Sequence, residues 1–184
     1  MKTLAAIPCH NEGLAIGSVV LKARKYVDEV LVVDDGSTDD TVEVTAEAGA
    51  VVVSHGVNRG KGRAVRTSLG YAAEHGFDAL VLLDGDGQHD PGEIPGLLEP
   101  ISNDAADLVI GFRSYGQMPV YRRFGRAALD HVTGAGGAVT DSQSGFRALN
   151  RKAALLFAGA LKKDDFAIES EMMRCSHDMN LETF

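Results

Sequence analysis

The sequence is poor in cysteine, with only Cys9 and Cys175 among its 184 residues. Two cysteines so far apart in the chain form neither a disulfide framework nor a zinc-binding pattern. We therefore expect a protein of the reducing cytoplasm, in which both cysteines serve as small hydrophobic side chains of the core.

Long apolar runs and a surplus of basic residues are also missing. No stretch approaches the roughly 18 consecutive apolar residues of a membrane-spanning helix, and the apolar part of the N-terminus is too short for a signal peptide. Lysine and arginine number 18 against 26 aspartates and glutamates, which gives a net charge of −8. Proteins that bind nucleic acids usually carry a basic surplus, so this charge argues against that class.

The sequence does contain a regular alternation of strand-like and helix-like segments. Short, continuously apolar segments predict buried strands at residues 4–7, 30–33, 51–53, 79–83 and 108–110. Between the first four of these segments, and again after residue 90, apolar residues are spaced as in amphipathic helices. This order predicts a mostly parallel α/β sheet covered by helices on both faces, within a single domain.

Local signals predict where some of these elements begin and end. Pro8 is expected to end the first strand, and Ser37 to cap the second helix. Residues 141–147 are expected to form a polar loop, followed by a short helix from about Lys152.

The last part of the sequence predicts one more helix and the start of a strand. Ile168, Met172 and Cys175 have the spacing of a buried helix face, and Glu169 and Glu171 are expected to face solvent. The final residues, 180–184, have the pattern of a helix stop followed by the first residues of a strand.

Polar clusters follow four of the predicted strands, after residues 7, 33, 83 and 110. In open α/β sheets, ligands bind outside the carboxyl ends of the strands. Four clusters along one edge of the sheet therefore predict a binding site there.

The cluster after residue 83 has the composition of a metal site. Asp84, Asp86 and Gln88 alternate with glycines past the end of a buried strand. Two carboxylates and an amide oxygen suit Mg²⁺ or Mn²⁺, and glycine lets a ligand approach the backbone closely. The alternative is a simple turn, since Asp and Gly dominate turns, but the full pattern after a buried strand favours the metal site.

Two common classes of phosphate-binding protein are excluded by their motifs. A dinucleotide-binding Rossmann domain needs Gly-x-Gly-x-x-Gly after the first strand, where this chain has Pro-Cys-His-Asn-Glu-Gly at residues 8–13. A P-loop needs four residues between its glycines and a hydroxyl after the lysine. Residues 56–62 have three intervening residues and a glycine after the lysine.

Four motifs remain, and they form a recognisable set. They are Ile-Pro-Cys-His-Asn-Glu at residues 7–12, Val-Asp-Asp-Gly-Ser-Thr-Asp-Asp-Thr at 33–41, Asn-Arg-Gly-Lys-Gly at 58–62 and Asp-Gly-Asp at 84–86. Together they resemble glycosyltransferase family 2, whose nucleotide-sugar-binding fold is called GT-A. Further motifs at residues 86–89, 111–113 and 141–147 are most similar to the polyprenyl-phosphate or dolichyl-phosphate mannose and glucose synthases.

The resemblance implies how the chain is organised. A single GT-A catalytic domain would cover residues 1–184, with a nucleotide-binding half at about 1–115 and an acceptor half at about 116–184. Domains of this family continue with a final strand and lipid-facing segments, so we expect the chain to be truncated at its C-terminus.

The resemblance also implies an activity. It is the metal-dependent, inverting transfer of a sugar from GDP-mannose or a UDP-hexose to a polyprenyl or dolichyl phosphate, at the cytoplasmic face of a membrane, with Mg²⁺ or Mn²⁺. The donor stays open between GDP-mannose, UDP-glucose and UDP-N-acetylglucosamine. Two alternatives also stay open: transfer to a saccharide hydroxyl, which would need a stronger base, and a non-catalytic nucleotide-sugar-binding module.

Matching positions imply the roles of individual residues. The expected nucleotide-sugar contacts are Pro8, His10, Glu12, Asp35, Lys61, Asp84, Gly85 and Asp86. The expected metal ligands are Asp84, Asp86 and Gln88. Arg113, Arg122 and Arg147 are expected to bind the acceptor phosphate, because guanidinium groups pair with phosphate oxygens; the alternative for each is a surface ion pair. Asp141 and Asp86 are the expected catalytic residues, with Asp141 as base or as the group that orients the acceptor; the alternative for Asp141 is a helix or turn cap. For Glu169 and Glu171 the resemblance leaves an alternative to the solvated helix face, since the family often has an acidic residue near the site here.

Overall fold

A computed structural model of the chain describes residues 1–111 and 144–184. The strands are β1 Thr3–Cys9, β2 Glu29–Asp34, β3 Val51–Ser54, β4 Ala79–Leu82, β5 Leu108–Ile110 and β6 Arg147–Asn150. The helices are α1 Gly13–Ala23, α2 Thr41–Glu47, α3 Lys61–Glu74, α4 Ile94–Ser102, α5 Arg151–Ala160 and α6 Ile168–Asp178, with a 3₁₀ turn at Pro91–Glu93.

The six strands form one sheet in the order β3-β2-β1-β4-β6-β5. Neighbouring strands are parallel except at β6, which is antiparallel to both β4 and β5. The predicted fold class, a mostly parallel α/β sheet, is confirmed. The sheet does not divide near residue 115, because β6 comes from the second half of the sequence and lies between two strands of the first half.

β6 was not predicted, and the expectation of a polar loop up to Arg147 was wrong at its end. The strand reads Arg-Ala-Leu-Asn, with no β-branched or aromatic residue to indicate a strand. Its hydrogen-bonding partners β4 and β5 lie on either side, so pairing across the sheet overrides a weak local preference.

Side chains of β1 alternate between two buried layers. Ala5 and Ile7 pack on one face with residues of α1 and α4. Leu4 and Ala6 pack on the other face with residues of α3, α5 and α6. A sheet covered on both faces needs apolar residues at every strand position, which explains why its strands are continuously apolar in the sequence.

Pro8 lies inside β1 and does not end it, because the strand continues to Cys9. Proline has no N–H to donate and is normally excluded from central strands. The Ala6 carbonyl accepts from Leu83 N on the β4 side at 3.2 Å, so the Pro8 nitrogen, two residues later, faces the same side. Pairing with β4 has already ended at Ala6, and no hydrogen bond between strands is lost.

Ser37 does not cap α2, which begins four residues later at Thr41. Its N–H donates to Asp34 Oδ1 at 3.0 Å, and its hydroxyl accepts from Asn11 N at 2.9 Å. The expected cap residue instead joins the loops that follow β1 and β2.

The last residues of the chain pair beside β5, as the sequence pattern predicted. Thr183 bridges Leu108 in parallel, and Phe184 exchanges hydrogen bonds of 2.9 Å with β5. Within the described ranges, no helix is long and apolar enough to cross a membrane.

Candidate active site

A cavity of about 350 Å³ opens at the carboxyl ends of β1, β2 and β4. Its wall includes every residue expected to contact a nucleotide sugar: Pro8, His10, Glu12, Asp35, Lys61, Asp84, Gly85 and Asp86. The wall is completed by Cys9, Asn58, Gly60, Ala64 and Phe166. We call it the acidic cavity, because four of its lining residues are carboxylates and one is a lysine.

The end of β1 supplies one side of the acidic cavity. His10 Nδ1 donates to the Asp35 carbonyl oxygen at 3.0 Å, and the Asn11 amide lies 3.1 Å from His10 Nε2. A carbonyl only accepts, so this pattern places the proton on Nδ1. Glu12 follows at the start of α1, where its N–H donates to Thr41 Oγ1 at 2.9 Å.

The adjacent acidic residues at the end of β2 hold the loops that shape the cavity. Asp34 accepts from Ser37 and from the Ser54 hydroxyl, the latter at 2.7 Å. Burial raises its pKa, but these hydrogen bonds outweigh burial and leave the pKa below the usual value. Asp34 is therefore an ionised structural anchor under neutral conditions.

Asp35 is also buried, yet it lines the cavity. Its oxygens accept from Arg59 N at 2.9 Å and Gly60 N at 2.7 Å, and Oδ1 lies 2.7 Å from His55 Nδ1. The carboxylate thus fixes the loop before α3 against the end of β2. Contacts to a nucleotide base or ribose remain a prediction for this residue.

Glycines at the start of α3 allow another loop to pack directly on it. Gly60 has a φ of +93°, and a Cβ there would overlap the Asp164 carbonyl. A Cβ on Gly62 would overlap the Lys163 carbonyl, and Gly62 N donates to Asp164 O at 3.0 Å. This close approach brings the residues before α6 to the mouth of the cavity.

Lys61, between these glycines, links two acidic residues across the cavity floor. Its Nζ lies 2.7 Å from Asp84 Oδ1 and 2.8 Å from Glu169 Oε1. Burial lowers the pKa of Lys61, but the two carboxylates outweigh burial and leave its pKa above the usual value. The ammonium is therefore charged throughout the neutral range.

Glu169 was expected on a solvated helix face, and that expectation was wrong. It is 5 % exposed, and its second oxygen, Oε2, is buried without a hydrogen-bond partner among the described residues. Of the expected buried face of α6, Ile168 and Met172 are confirmed, whereas Cys175 is only half-buried.

The loop after β4 presents two of the three expected metal ligands to the cavity. Asp84 and Asp86 line it, whereas Gln88 is exposed and absent from its wall. Gln88 N donates to Asp86 Oδ1 at 2.9 Å, and Gly87 turns the chain with a φ of +74°. Gln88 therefore lies outside the wall that contains the two aspartates, and its role as a metal ligand stays a prediction.

His89 and Gly145 pack against Asp84. His89 is buried, stacks on Phe146 with ring centroids 5.1 Å apart, and accepts from Asp84 N at 3.3 Å. A Cβ on Gly145 would lie 2.7 Å from Asp84 Oδ2. The chain therefore needs glycine at position 145 for the Asp84 carboxylate to keep this place.

The wall of the cavity has an excess of negative charge. Burial, followed by the Asp86 and Asp84 carboxylates, raises the pKa of Glu12 above its usual value. Burial and then Asp34 raise the pKa of Cys9 to about 12, so its thiol stays protonated at neutral pH. An anionic ligand would be repelled from this wall unless a cation bound with it.

Residues 1–111 and 144–184 contain no cluster of three or more His, Cys, Asp or Glu side chains placed to hold a metal ion. Mg²⁺ is usually bound by one or two carboxylates together with substrate phosphates, and not by a cage made only of protein ligands. The donor set of Asp84 and Asp86 fits that second arrangement. The excess of negative charge on the same wall fits it as well.

The expected acceptor residues are mostly outside the described part of the chain, which omits Arg113, Arg122 and Asp141. Arg147 is described, and it is 1 % exposed. Its Nε donates to Ser144 O at 2.8 Å and its Nη1 to Glu169 O at 3.1 Å. Arg147 therefore joins β6 to α6, and the structure does not present it as an open phosphate-binding group.

Phe166 is the main lining residue that the sequence motifs missed. Its ring is 74 % exposed at the mouth of the cavity, and Lys61 Nζ lies 5.7 Å from the ring centroid. Position 166 is about 80 residues beyond the last donor motif, and no short motif marks it.

The six-stranded, mostly parallel sheet with its cavity at the strand ends is a fold of the GT-A type. Residues 5–155 match the sequence profile described as Glycosyl transferase family 2, and the chain belongs to this family.

Two relatives carry names that refer to lipid phosphates. The chain is 32 % identical to the UDP-N-acetylglucosamine–dolichyl-phosphate N-acetylglucosaminyltransferase of Methanococcus voltae, over 91 % of this chain and 76 % of the relative. It is 39 % identical to the undecaprenyl-phosphate mannosyltransferase of Micrococcus luteus, over 61 % of this chain and 49 % of the relative.

The fold is also similar to solved structures. The glucosyl-3-phosphoglycerate synthase of Mycobacterium tuberculosis, in complex with Mn²⁺, UDP-glucose and phosphoglyceric acid, superimposes with a TM-score of 0.75 at 28 % identity. The match covers 97 % of this chain and 65 % of that one. The chain therefore spans about two thirds of the length of that synthase.

Proposed function

We propose that this chain is the donor-binding and catalytic domain of an inverting glycosyltransferase. It moves a hexose from a nucleotide diphosphate sugar to a polyprenyl or dolichyl phosphate, with Mg²⁺ or Mn²⁺ as cofactor. The observation that carries the proposal is that the acidic cavity gathers residues from four separate sequence motifs on one wall.

Residues of β1 and β2 form the part of the cavity suited to the nucleoside. Pro8 offers an apolar surface beside His10, whose ring is held by Asp35 and Asn11. The carboxylate of Glu12 lines the same space and can accept a hydrogen bond from a ribose hydroxyl. These contacts orient the donor before its diphosphate reaches the loop after β4.

The diphosphate belongs beside the loop after β4, where Asp84 and Asp86 would hold the metal together with phosphate oxygens. A divalent ion there acts as a Lewis acid for the negative charge that develops on the departing nucleotide diphosphate. Asp86 is the open carboxylate for this purpose, and Lys61 supplies a second positive charge within reach of the same oxygens.

The acceptor is proposed from the names of the relatives and from simple chemistry. A phosphate monoester is largely ionised at neutral pH, so it can attack the sugar without a strong general base. It does need cationic groups that reduce its repulsion from the donor diphosphate. We assign this role to Arg113 and Arg122, and the orientation of the acceptor to Asp141.

The test is a transfer assay with radiolabelled GDP-mannose, UDP-glucose and UDP-N-acetylglucosamine. Each donor is offered with undecaprenyl phosphate, with dolichyl phosphate and with phosphoglyceric acid, in Mn²⁺ or in EDTA. Asp86→Asn removes one metal-binding charge with almost no change of shape. Asp104→Asn is the matched control, because it changes the same charge at an exposed position between α4 and β5 that does not line the cavity.

We expect one donor to label a lipid phosphate in Mn²⁺ only. Asp86→Asn should lower kcat/KM by about 10²–10³-fold, and Asp104→Asn should leave it within about twofold. Labelling of phosphoglyceric acid alone would identify a soluble acceptor and refute the lipid acceptor. Donor binding without transfer to any phosphate would favour a binding module.

A further inference from the structure

The ammonium of Lys61 occupies the position of a bound cation in the acidic cavity. It joins three elements that are distant in sequence: the start of α3, the loop after β4 and the first turn of α6. At 2.7 Å from Asp84 Oδ1, it uses a carboxylate oxygen that a divalent ion would also use. The two cations therefore compete for one carboxylate.

Glu169 keeps this ammonium at the cavity. Its carboxylate is buried, and one oxygen binds Lys61 while Oε2 has no partner among the described residues. An ammonium has three N–H donors that can rotate between acceptors. A second oxygen on the same carboxylate lets Lys61 give up Asp84 without leaving an N–H unpaired.

We propose that Lys61 is an internal counter-ion that neutralises Asp84 until a donor binds, and then moves to the donor diphosphate while Glu169 retains it. This inference rests on the proposed function and deepens it, because it makes metal and nucleotide bind as a cooperative pair. Asp84 would then be available to a metal ion only after the ammonium of Lys61 has moved to the donor diphosphate.

The exchange has a consequence that a fixed ion pair lacks. Lys61 weakens metal binding in the absence of nucleotide, and it ceases to do so once a nucleotide has bound its ammonium. The factor by which a nucleotide tightens metal binding measures the coupling between the two sites. Part of this factor arises because the ammonium leaves Asp84 when the nucleotide binds. Removal of the ammonium must reduce that factor.

The experiment measures Mn²⁺ affinity from the electron paramagnetic resonance of free Mn²⁺, with and without saturating UDP, and again with GDP. Lys61→Met removes the ammonium and keeps a side chain of similar length. Lys163→Met is the control, because it removes an exposed ammonium from the loop that packs on Gly62.

For Lys61→Met we expect Mn²⁺ alone to bind about fivefold more tightly than in the wild type. The factor by which UDP or GDP tightens Mn²⁺ binding should therefore fall about fivefold. Lys163→Met should leave both quantities within about twofold. An unchanged coupling factor in Lys61→Met would mean that Lys61 stays on Asp84 throughout, which overturns the proposal.

Glu169→Gln gives a second measurement in case Lys61→Met does not fold, as judged by near-ultraviolet circular dichroism. The ammonium then has only one carboxylate, Asp84, so Mn²⁺ alone should bind about threefold more weakly. Equal or tighter Mn²⁺ binding in this variant contradicts the role of Glu169. If neither nucleotide tightens Mn²⁺ binding in the wild type, the proposed function fails and the exchange fails with it.

Discussion

At the scale of one residue, Glu12 shows that the crowded carboxylates of the acidic cavity lower the stability of the fold at neutral pH. Its carboxylate lies among Asp86, Asp84 and Asp39, and burial together with these charges raises its pKa. Folding therefore favours the protonated form of Glu12. The associated stability is fully present below the usual carboxyl pKa, and it is lost as the pH rises through the folded value.

Glu12→Gln should therefore stabilise the protein without nucleotide or metal. In EDTA at pH 7.5 we expect its Tm to exceed that of the wild type by about 2 °C. The difference should vanish below about pH 4, where Glu12 is protonated in both states. Thermal unfolding followed by circular dichroism at several pH values tests this prediction.

Glu74→Gln is the control for that measurement, since its carboxylate is exposed on the last turn of α3. It should show no comparable gain at pH 7.5. A Tm gain for Glu12→Gln that is the same at pH 4 and pH 7.5 would show that the effect is not electrostatic.

At the scale of elements, the loop at residues 162–167 is what brings an aromatic ring to the cavity. Glu171 Oε2 accepts from Lys162 N at 3.0 Å and Lys163 N at 2.9 Å. Arg66 pairs with Asp164 at 3.0 Å, which ties the loop to α3. The loop is therefore held at both sides while the ring of Phe166 stays exposed.

Phe166→Ala should weaken donor binding with little loss of stability. An exposed ring contributes little to folding, whereas a stacking contact with a base or sugar is worth about 0.5–1.5 kcal/mol. We expect a 3- to 10-fold higher Kd for the bound nucleotide sugar by calorimetry in Mn²⁺, roughly the fold-change of that energy, and a Tm within about 2 °C of the wild type.

Phe184→Ala serves as the matched control, because Phe184 is also largely exposed but pairs beside β5 and does not line the cavity. Its donor affinity should equal that of the wild type. An unchanged Kd in Phe166→Ala would place the ring outside the donor site.

At the scale of the whole molecule, the cavity wall is built from segments that lie far apart in the sequence. Its wall takes residues from the ends of β1 and β2, from α3, and from the loops after β4 and before α6. A ligand that contacts all of these binds only the folded chain. It must therefore raise the free energy of unfolding of the whole domain.

UDP with Mn²⁺ at about 100 times its Kd should stabilise the fold by about 2.7 kcal/mol. For a chain of this size that corresponds to a rise in Tm of about 5–10 °C. Differential scanning fluorimetry with UDP, GDP, Mn²⁺ and EDTA in all combinations measures it.

EDTA should abolish the rise in Tm caused by the nucleotide. In Mn²⁺, Asp86→Asn should lower that rise to the value measured in EDTA. Equal stabilisation by UDP in EDTA and in Mn²⁺ would contradict a metal-bound diphosphate. Stabilisation by GDP but not UDP, or the reverse, would identify the base of the donor.

The sequence alone determined the order of the described strands and helices apart from β6, the mostly parallel character of the sheet and the part of the site that lies on strand ends. Buried strands are continuously apolar, and loops at the carboxyl ends of parallel strands meet along one edge. Local patterns therefore placed residues such as His10, Asp35 and Asp86 near one another. They could not show that Gln88 lies outside the cavity wall, because that depends on how the loop turns at Gly87, which has a φ of +74°.

Only the tertiary structure decided the side of the site that comes from the end of the chain. Glu169 has the local pattern of a solvated helix residue and Arg147 that of a loop residue, yet both are buried. Their burial depends on β6 entering the sheet between β4 and β5, and on the glycines that let residues 162–167 pack against α3. Contacts between segments about 40 to 110 residues apart set these environments, and local sequence patterns carry no record of such contacts.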